Sequence, residues 1–227
     1  SFDKEAELST LLIKIECACS NPSDAYELVR KLCMKEPTND AWWTLCGYVT
    51  GMMRPKSVKY DERWALRLLN RHGDRAPVVL TAAHRSLSKR SWSMAIALYS
   101  SLADTNPNEP LLYLCLGVCY MQTVLTRRMA KKKGHLALVG ESFLRRYEQL
   151  RGNRMEAAYN IGRAYHHLGL HSLATDYYMH VLAMDPTPVE VARGNVQREA
   201  AHNLAILLQA SSSPSLASSI RQTFLSG

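Results

Sequence analysis

The stretch from Met155 to Pro188 decides the fold of this chain, and it reads MEAAYNIGRAYHHLGLHSLATDYYMHVLAMDPTP. Apolar and small residues recur in it every three or four positions, first around Ile161 and again around Tyr178, which is typical of two amphipathic helices. Between them, Leu168 and Gly169 form a turn signal, because glycine readily takes the positive φ that ends a helix. The stretch therefore predicts two helices packed as a hairpin.

The spacing of these residues is that of a tetratricopeptide repeat (TPR), a helical hairpin with a period of about 34 residues. Ala158 and Gly162 fall at positions 4 and 8 of its pattern, and Ala174 lies on one face of the second helix together with Tyr178 and Val181. Gly162 lies where the two helix backbones must approach closely, which its missing side chain allows. Pro186 falls at the closing position, since proline cannot continue a helix.

The same template predicts an all-α fold for the whole chain, an α-solenoid of about six TPR-like helix pairs in one superhelical array over residues 1–227. The units are expected at residues 3–37, 39–76, 77–107, 108–153, 155–188 and 197–227. The insertions MMRPKSVKY and TRRMAKKKGH interrupt the second and fourth units, so curvature should change near residues 52–60 and 126–136. Residues 187–195 are expected to form a loop.

Composition and the first residue narrow the class of protein. Hydrophobic residues make up 47% of the chain, which suffices for a continuous core, but no apolar run is long enough to span a membrane. The chain begins with Ser1 and has no apolar leader, so we expect a fragment of a longer protein. The cysteines show no CxxC pair and no zinc-ligand spacing, which favours reduced thiols, several of them buried, in an intracellular protein. They are Cys17, Cys19, Cys33, Cys46, Cys115 and Cys119.

No set of residues indicates catalysis or a bound cofactor. His167 and His171 have a spacing that metal ligands use, but a turn falls between them and no carboxylate or cysteine completes the set. His166 and His180 are interpreted in the same way, as structural or surface side chains. Nucleotide-binding, metalloprotease and serine-hydrolase motifs are missing from the sequence. We therefore expect neither an enzyme nor a cofactor, a metal or a small-molecule substrate.

TPR arrays usually bind partners in a groove lined by the first helix of each pair. In the 155–188 unit, the positions beside the core stripe are predicted to face that groove. With Met155 counted as position 1, position 6 lies at the edge of the groove. The facing residues are Glu156, Tyr159, Arg163 and His166, with Asn160 at position 6. Arginine binds carboxylates bidentately and asparagine pairs with amides, so this section suits a peptide.

The corresponding residues one unit earlier are apolar, namely Leu114, Val118 and Met121. That section of the groove is expected to take a helix or hydrophobic side chains from a partner. The alternative is that neighbouring units or another part of the protein cover these residues.

The chain has a formal net charge of +8, and the segment 127–154 alone carries +7 of it. We call its basic residues the basic patch: Arg127, Arg128, Lys131, Lys132, Lys133, Arg145, Arg146, Arg151 and Arg154. Such a patch is either a solvated helix face or an attractor for acidic peptide or nucleic acid. Since no zinc finger, basic zipper or aromatic RNA-binding motif accompanies it, any DNA contact is expected to be non-specific and to phosphates.

Three stretches near the C-terminus carry more than a generic repeat: GESFLRRYEQLRGN (140–153), EAAYNIGRAYHHLGLHSLATDYY (156–178) and REAAHNLAILLQASSSPSLASSI (198–220). In this order they resemble the C-terminal array of the TPR subunit of general transcription factor IIIC (TFIIIC), the RNA polymerase III initiation factor. The arginine-rich FLRRY…LRG helix is the part that a plain repeat protein would not need. The resemblance is strongest over residues 136–227 and weaker over residues 1–135.

The resemblance implies a nuclear, non-catalytic scaffold that assembles the promoter-binding complex and helps to recruit TFIIIB for RNA polymerase III transcription. The implied partners are other TFIIIC subunits and TFIIIB, with no membrane. The resemblance supplies no site residues, so the groove and the basic patch rest on this sequence alone. Two alternatives stay open. The first is a nucleic-acid-binding module that uses the basic patch, and the second is a chaperone-adaptor TPR array that binds a C-terminal peptide.

Overall fold

A computed structural model describes residues 2–19, 21–52, 61–73, 75–126, 133–188, 191, 195–211 and 213–225. Every regular element in these ranges is an α-helix, so the predicted all-α fold is confirmed. The chain forms two compact units, Ser1–Pro107 and Asn108–Gly227. The single continuous array, with its division into six pairs, stays a prediction.

The first unit contains six helices with the bounds α1 (Phe2–Ala18), α2 (Pro22–Lys35), α3 (Asp40–Met52), α4 (Asp61–His72), α5 (Ala76–Ser88) and α6 (Trp92–Thr105). Proline opens α2 and lies in the first turn of α5, where its fixed φ suits a helix and its missing N–H costs no hydrogen bond. α2 packs against α1 and α3, whereas α5 packs against α3, α4 and α6.

The core of the first unit is centred on α2 and α3. Trp43 is fully buried there among Val29, Cys33 and Cys46. Its indole N–H donates to the carbonyl oxygen of Pro37 at 2.9 Å, so the loop before α3 is tied to the core. All six cysteines of the chain are free thiols.

The second unit contains the described helices α7 (Pro110–Thr126), α8 (Lys133–Leu150), α9 (Arg154–His167), α10 (His171–Ala183), α11 (Gln197–Ala210) and α12 (Pro214–Phe224). α7 packs on α8, α9 on α10 and α11 on α12, and α10 also packs on α11. The predicted turn at Gly169 is confirmed, since its φ of 73° is in the left-handed region. None of the helices in the described ranges is both long and apolar enough to span a lipid bilayer.

One sequence prediction needs adjustment in the second unit, and another falls on residues that are mostly not described in either unit. Residues 187–195 were expected to form a loop, but Pro188 and Val191 are helical, with the Val191 N–H bonded to the Thr187 carbonyl at 2.9 Å. Proline favours the first turn of a helix, which explains why a helix can start here. The insertions expected to change curvature, near residues 52–60 and 126–136, lie mostly outside the described residues.

Acidification should destabilise the first unit through His84. Its Nδ1 lies 2.5 Å from the Tyr99 hydroxyl, and burial lowers the pKa of His84 below its usual 6.5. The unfolded chain therefore binds a proton at a higher pH than the folded chain does. Because of this difference, the contribution of His84 to stability is present above about pH 6.5 and is lost as the pH falls towards the lower, folded pKa.

The variant His84→Asn keeps a hydrogen-bond acceptor near Tyr99 and removes the titrating ring. We expect a shallower decrease in the urea midpoint of this variant between neutral and mildly acidic pH. A decrease equal to that of the parent would show that other groups cause the acid sensitivity.

Candidate partner-binding groove

α9 presents a polar face beside its buried core stripe. The Asn153 side chain caps the helix by accepting from the Glu156 N–H at 2.9 Å, which fixes where α9 begins. Ile161, Gly162 and Tyr165 are buried on one side. The predicted groove residues of α9 occupy the neighbouring positions around the helix, so their side chains are exposed or half-buried.

Tyr159, Arg163 and His166 are brought together on this face. The exposed Arg163 guanidinium lies 5.7 Å from the centroid of the half-buried Tyr159 ring, a cation–π arrangement. The His166 ring meets the buried Tyr178 edge-on, with His166 Nδ1 3.3 Å from the Tyr178 hydroxyl. These contacts bring the Arg163 guanidinium and the rings of Tyr159 and His166 together on one face of α9.

Asn203 extends the face from α9 to α11. Its side-chain amide donates to the Tyr159 hydroxyl at 3.3 Å. Sequence reasoning missed Asn203, although it occupies the same repeat position in α11 that Asn160 occupies in α9. Asn160 makes an equivalent contact, because its amide donates to the Tyr147 hydroxyl of α8 at 2.9 Å. Each asparagine therefore links its own helix to a tyrosine of an earlier helix.

Glu156 is the acidic member of the predicted set, and it is already engaged. Both of its carboxylate oxygens accept from the Arg151 guanidinium, at 2.7 and 2.8 Å. Hydrogen bonding to Glu156 also raises the pKa of Arg151. Because Arg151 neutralises Glu156, the charge that the face offers to a partner is mainly that of Arg163.

The apolar section of the predicted groove lies on α7. Leu114, Val118 and Met121 are all half-buried. Leu114 and Met121 also pack against the core of the second unit, and Met121 lies over Gly140 of α8. Part of this surface is therefore covered by the unit itself, and Leu111, at 41% exposure, continues it at the N-terminal end of α7.

This face can hold a carboxylate or a peptide group. Burial, together with the neighbouring His171, lowers the pKa of His166, which favours the neutral form of its ring. In the part of the chain that the structure describes, His, Cys, Asp and Glu side chains do not form a group of three or more that could hold a metal ion.

The basic patch is only partly described, since Arg127, Arg128, Lys131 and Lys132 lie outside the described residues. Arg145 pairs with Glu141 at 3.3 Å, and Arg151 pairs with Glu156. Arg146 lies 5.9 Å from the centroid of the Tyr113 ring, Lys133 is half-buried and Arg154 is exposed. Two of the described cations therefore face a carboxylate rather than solvent alone.

The chain is similar to subunits of two named transcription factors. General transcription factor 3C polypeptide 3 of Homo sapiens is 28% identical over 226 residues, which is 98% of this chain and 25% of the human protein. Transcription factor tau subunit sfc4 of Schizosaccharomyces pombe is 38% identical over 114 residues, 48% of this chain and 11% of the yeast protein. The chain thus spans about a quarter of the length of the human relative and about a tenth of the length of the yeast relative. No protein-family model matches it.

A solved structure supports the fold. A TPR protein from Parabacteroides merdae superposes with a TM-score of 0.57 at 14% identity, covering 96% of this chain and 77% of that protein. Such low identity bears on fold alone. The predicted resemblance is confirmed: this chain has the fold of a TPR-type α-solenoid and is similar in sequence to subunits of the transcription factor TFIIIC, along 98% of its length for the human subunit and 48% for the Schizosaccharomyces pombe one.

Proposed function

We propose that this chain is a non-catalytic scaffold within a nuclear TFIIIC-type complex, where it binds other protein subunits and helps to recruit TFIIIB for RNA polymerase III transcription. The observation that carries the proposal is the similarity to a general transcription factor 3C subunit along 98% of the chain. The helical repeats support it, because stacked hairpins offer long surfaces to macromolecular partners.

Within this role, the polar face of α9 and α11 is the proposed partner-binding groove. Arg163 has no carboxylate partner among the described residues, and stacking on Tyr159 limits the freedom of its side chain. A positioned guanidinium binds a carboxylate bidentately at a smaller entropic cost than a free one does. The expected partner segment carries an acidic residue for Arg163 and apolar residues for Leu114 and Val118 of α7.

The observations favour this role over the two alternatives. Arg145 and Arg151 of the basic patch form ion pairs with carboxylates. This pairing weakens the local positive field that phosphate binding would use. A chaperone adaptor needs several lysines around a C-terminal carboxylate, whereas the predicted groove residues include one cation, Arg163.

Arg163→Glu should lower the recovery of partner subunits when the intact tagged protein is purified from nuclei. Losing a charge-assisted hydrogen bond and adding repulsion should weaken binding about tenfold or more. Arg154→Glu is the matched control, since it makes the same charge change on an exposed arginine of the same helix. We expect it to leave recovery unchanged.

Quantitative mass spectrometry of the co-purified proteins measures the effect. Recovery of polymerase III factors with the parent and the control, but less with Arg163→Glu, supports both the role and the groove. Equal losses with both variants would assign the effect to net charge and the basic patch. Recovery of chaperones in place of transcription factors would overturn the proposed role.

A further inference from the structure

A second surface, in the first unit, lies outside the groove. Side chains from α4, α5, α6 and the α5–α6 turn enclose a cleft of about 150 Å³, which we call the α4–α6 cleft. It is lined by Leu66, Leu69, Ala82, Arg85, Ser86, Lys89, Ser91, Met94 and Leu98. This volume is about that of a space which accommodates one benzene-sized group. The cleft therefore has room for a single large apolar side chain.

The mouth of the cleft continues this apolar surface outwards. Leu66 and Met94 are 43% and 40% exposed, although both are large hydrophobic residues that contribute to the lining. Exposed apolar side chains grouped around a concavity are typical of interaction sites. A partner that inserts one side chain would thus also cover Leu66 and Met94.

The charges of the cleft have one sign. Two of the lining residues, Arg85 and Lys89, are cationic, and none of the lining residues is acidic. Lys89 is exposed where α5 ends, and its backbone N–H bonds back to the carbonyl oxygens of Arg85 and Leu87. The C-terminal turn of α5 therefore holds the Lys89 backbone at the rim, and its ammonium makes no ion pair within the described chain.

We infer that the α4–α6 cleft binds an acidic segment of a protein partner, which inserts a leucine- or phenylalanine-sized side chain and places a neighbouring carboxylate against Lys89. A second copy of this chain fits less well, because each copy carries a net charge of +8 and like charges repel. A nucleic acid would place phosphates against Leu66 and Met94, where they would lose water without gaining hydrogen bonds. This inference does not depend on the proposed groove.

The test uses a fluorescent peptide with one phenylalanine flanked by glutamates, titrated with the full chain at low salt and followed by polarisation. Two other peptides serve as probes of specificity: one has alanine in place of phenylalanine, and one has lysines in place of glutamates. We expect only the parent peptide to bind well, and its affinity should fall as salt rises, since salt screens the Lys89 contact.

Met94→Glu and Lys89→Glu should each weaken binding of the parent peptide about tenfold or more. Met179→Glu and Lys31→Glu are matched controls, because they change an exposed methionine and an exposed lysine that do not line the cleft. Both should bind like the parent chain. Circular dichroism melts of all four variants would show that the changes in binding are not losses of fold.

Three outcomes would overturn the inference. The first is affinity for the phenylalanine peptide that Met94→Glu and Lys89→Glu leave unchanged. The second is equal affinity for the alanine peptide, which would mean that charge alone attracts it. The third is displacement of the peptide by a single-stranded oligonucleotide whose own binding is lost in Lys89→Glu, which would assign the cleft to nucleic acid.

Discussion

Gly117→Leu is expected to unfold the second unit or to lower its melting temperature by several degrees. A Cβ atom at Gly117 would lie 2.6 Å from Leu144 Cδ2 and 3.1 Å from the carbonyl oxygen of Gly140. Leu144 is 1% exposed, so it has no free space to move into. Overpacking a core costs about 1–3 kcal/mol or more, and each kcal/mol corresponds to roughly 2–4 °C in a chain of this size.

The matched control is Gly134→Ala in α8, where an added Cβ meets no atom within 4 Å. Alanine favours a helix over glycine, so this variant should melt at the same temperature as the parent or slightly higher. Gly140→Ala should fall between the two, because its Cβ would meet the flexible side chain of Met121 at 3.0 Å. A Gly117→Leu melt that matches the parent would contradict the α7–α8 crossing.

The elements of this fold follow from local sequence signals to a large extent. Because proline favours the first helical position, the sequence predicts a helix from Pro22 to about Lys35, and α2 has these limits. For the fourth unit, the repeat template predicts a first helix that ends at Gln122 and a second that begins at about Leu136, whereas α7 continues to Thr126 and α8 begins at Lys133. The template carries an average helix length, whereas the residues TVLT (123–126) after Gln122 include no glycine or proline and can continue the helix.

The candidate groove shows what periodicity can and cannot supply. A helical period predicts which face of α9 carries Tyr159 and Arg163, since their angular positions depend only on local geometry. The partners of Glu156 and Asn160 were not predicted. Arg151 and Tyr147 reach them across a turn and between helices, and such pairings depend on tertiary packing that a single sequence does not encode in a readable pattern. Whether a partner uses this face stays a prediction.

Trp43→Ala should have a comparably large effect in the first unit. The Trp43 side chain is 1% exposed, its ring centroid lies 6.2 Å from that of His72, and its N–H donates to Pro37. Truncating a buried tryptophan to alanine costs about 3–5 kcal/mol, since it removes apolar burial and leaves a cavity. Urea denaturation followed by far-ultraviolet circular dichroism measures the loss without depending on tryptophan fluorescence.

Two further variants separate the causes of that loss. Trp43→Phe keeps an aromatic ring in the core but removes the donor to Pro37, so it should cost less than the alanine variant and still more than zero. Trp92→Ala removes a half-buried tryptophan at the start of α6 and should cost less than Trp43→Ala, because cavity formation requires burial. If Trp92→Ala cost as much, the core of the first unit would not be centred on α3, and the packing of α3 against α2 and α5 would be wrong.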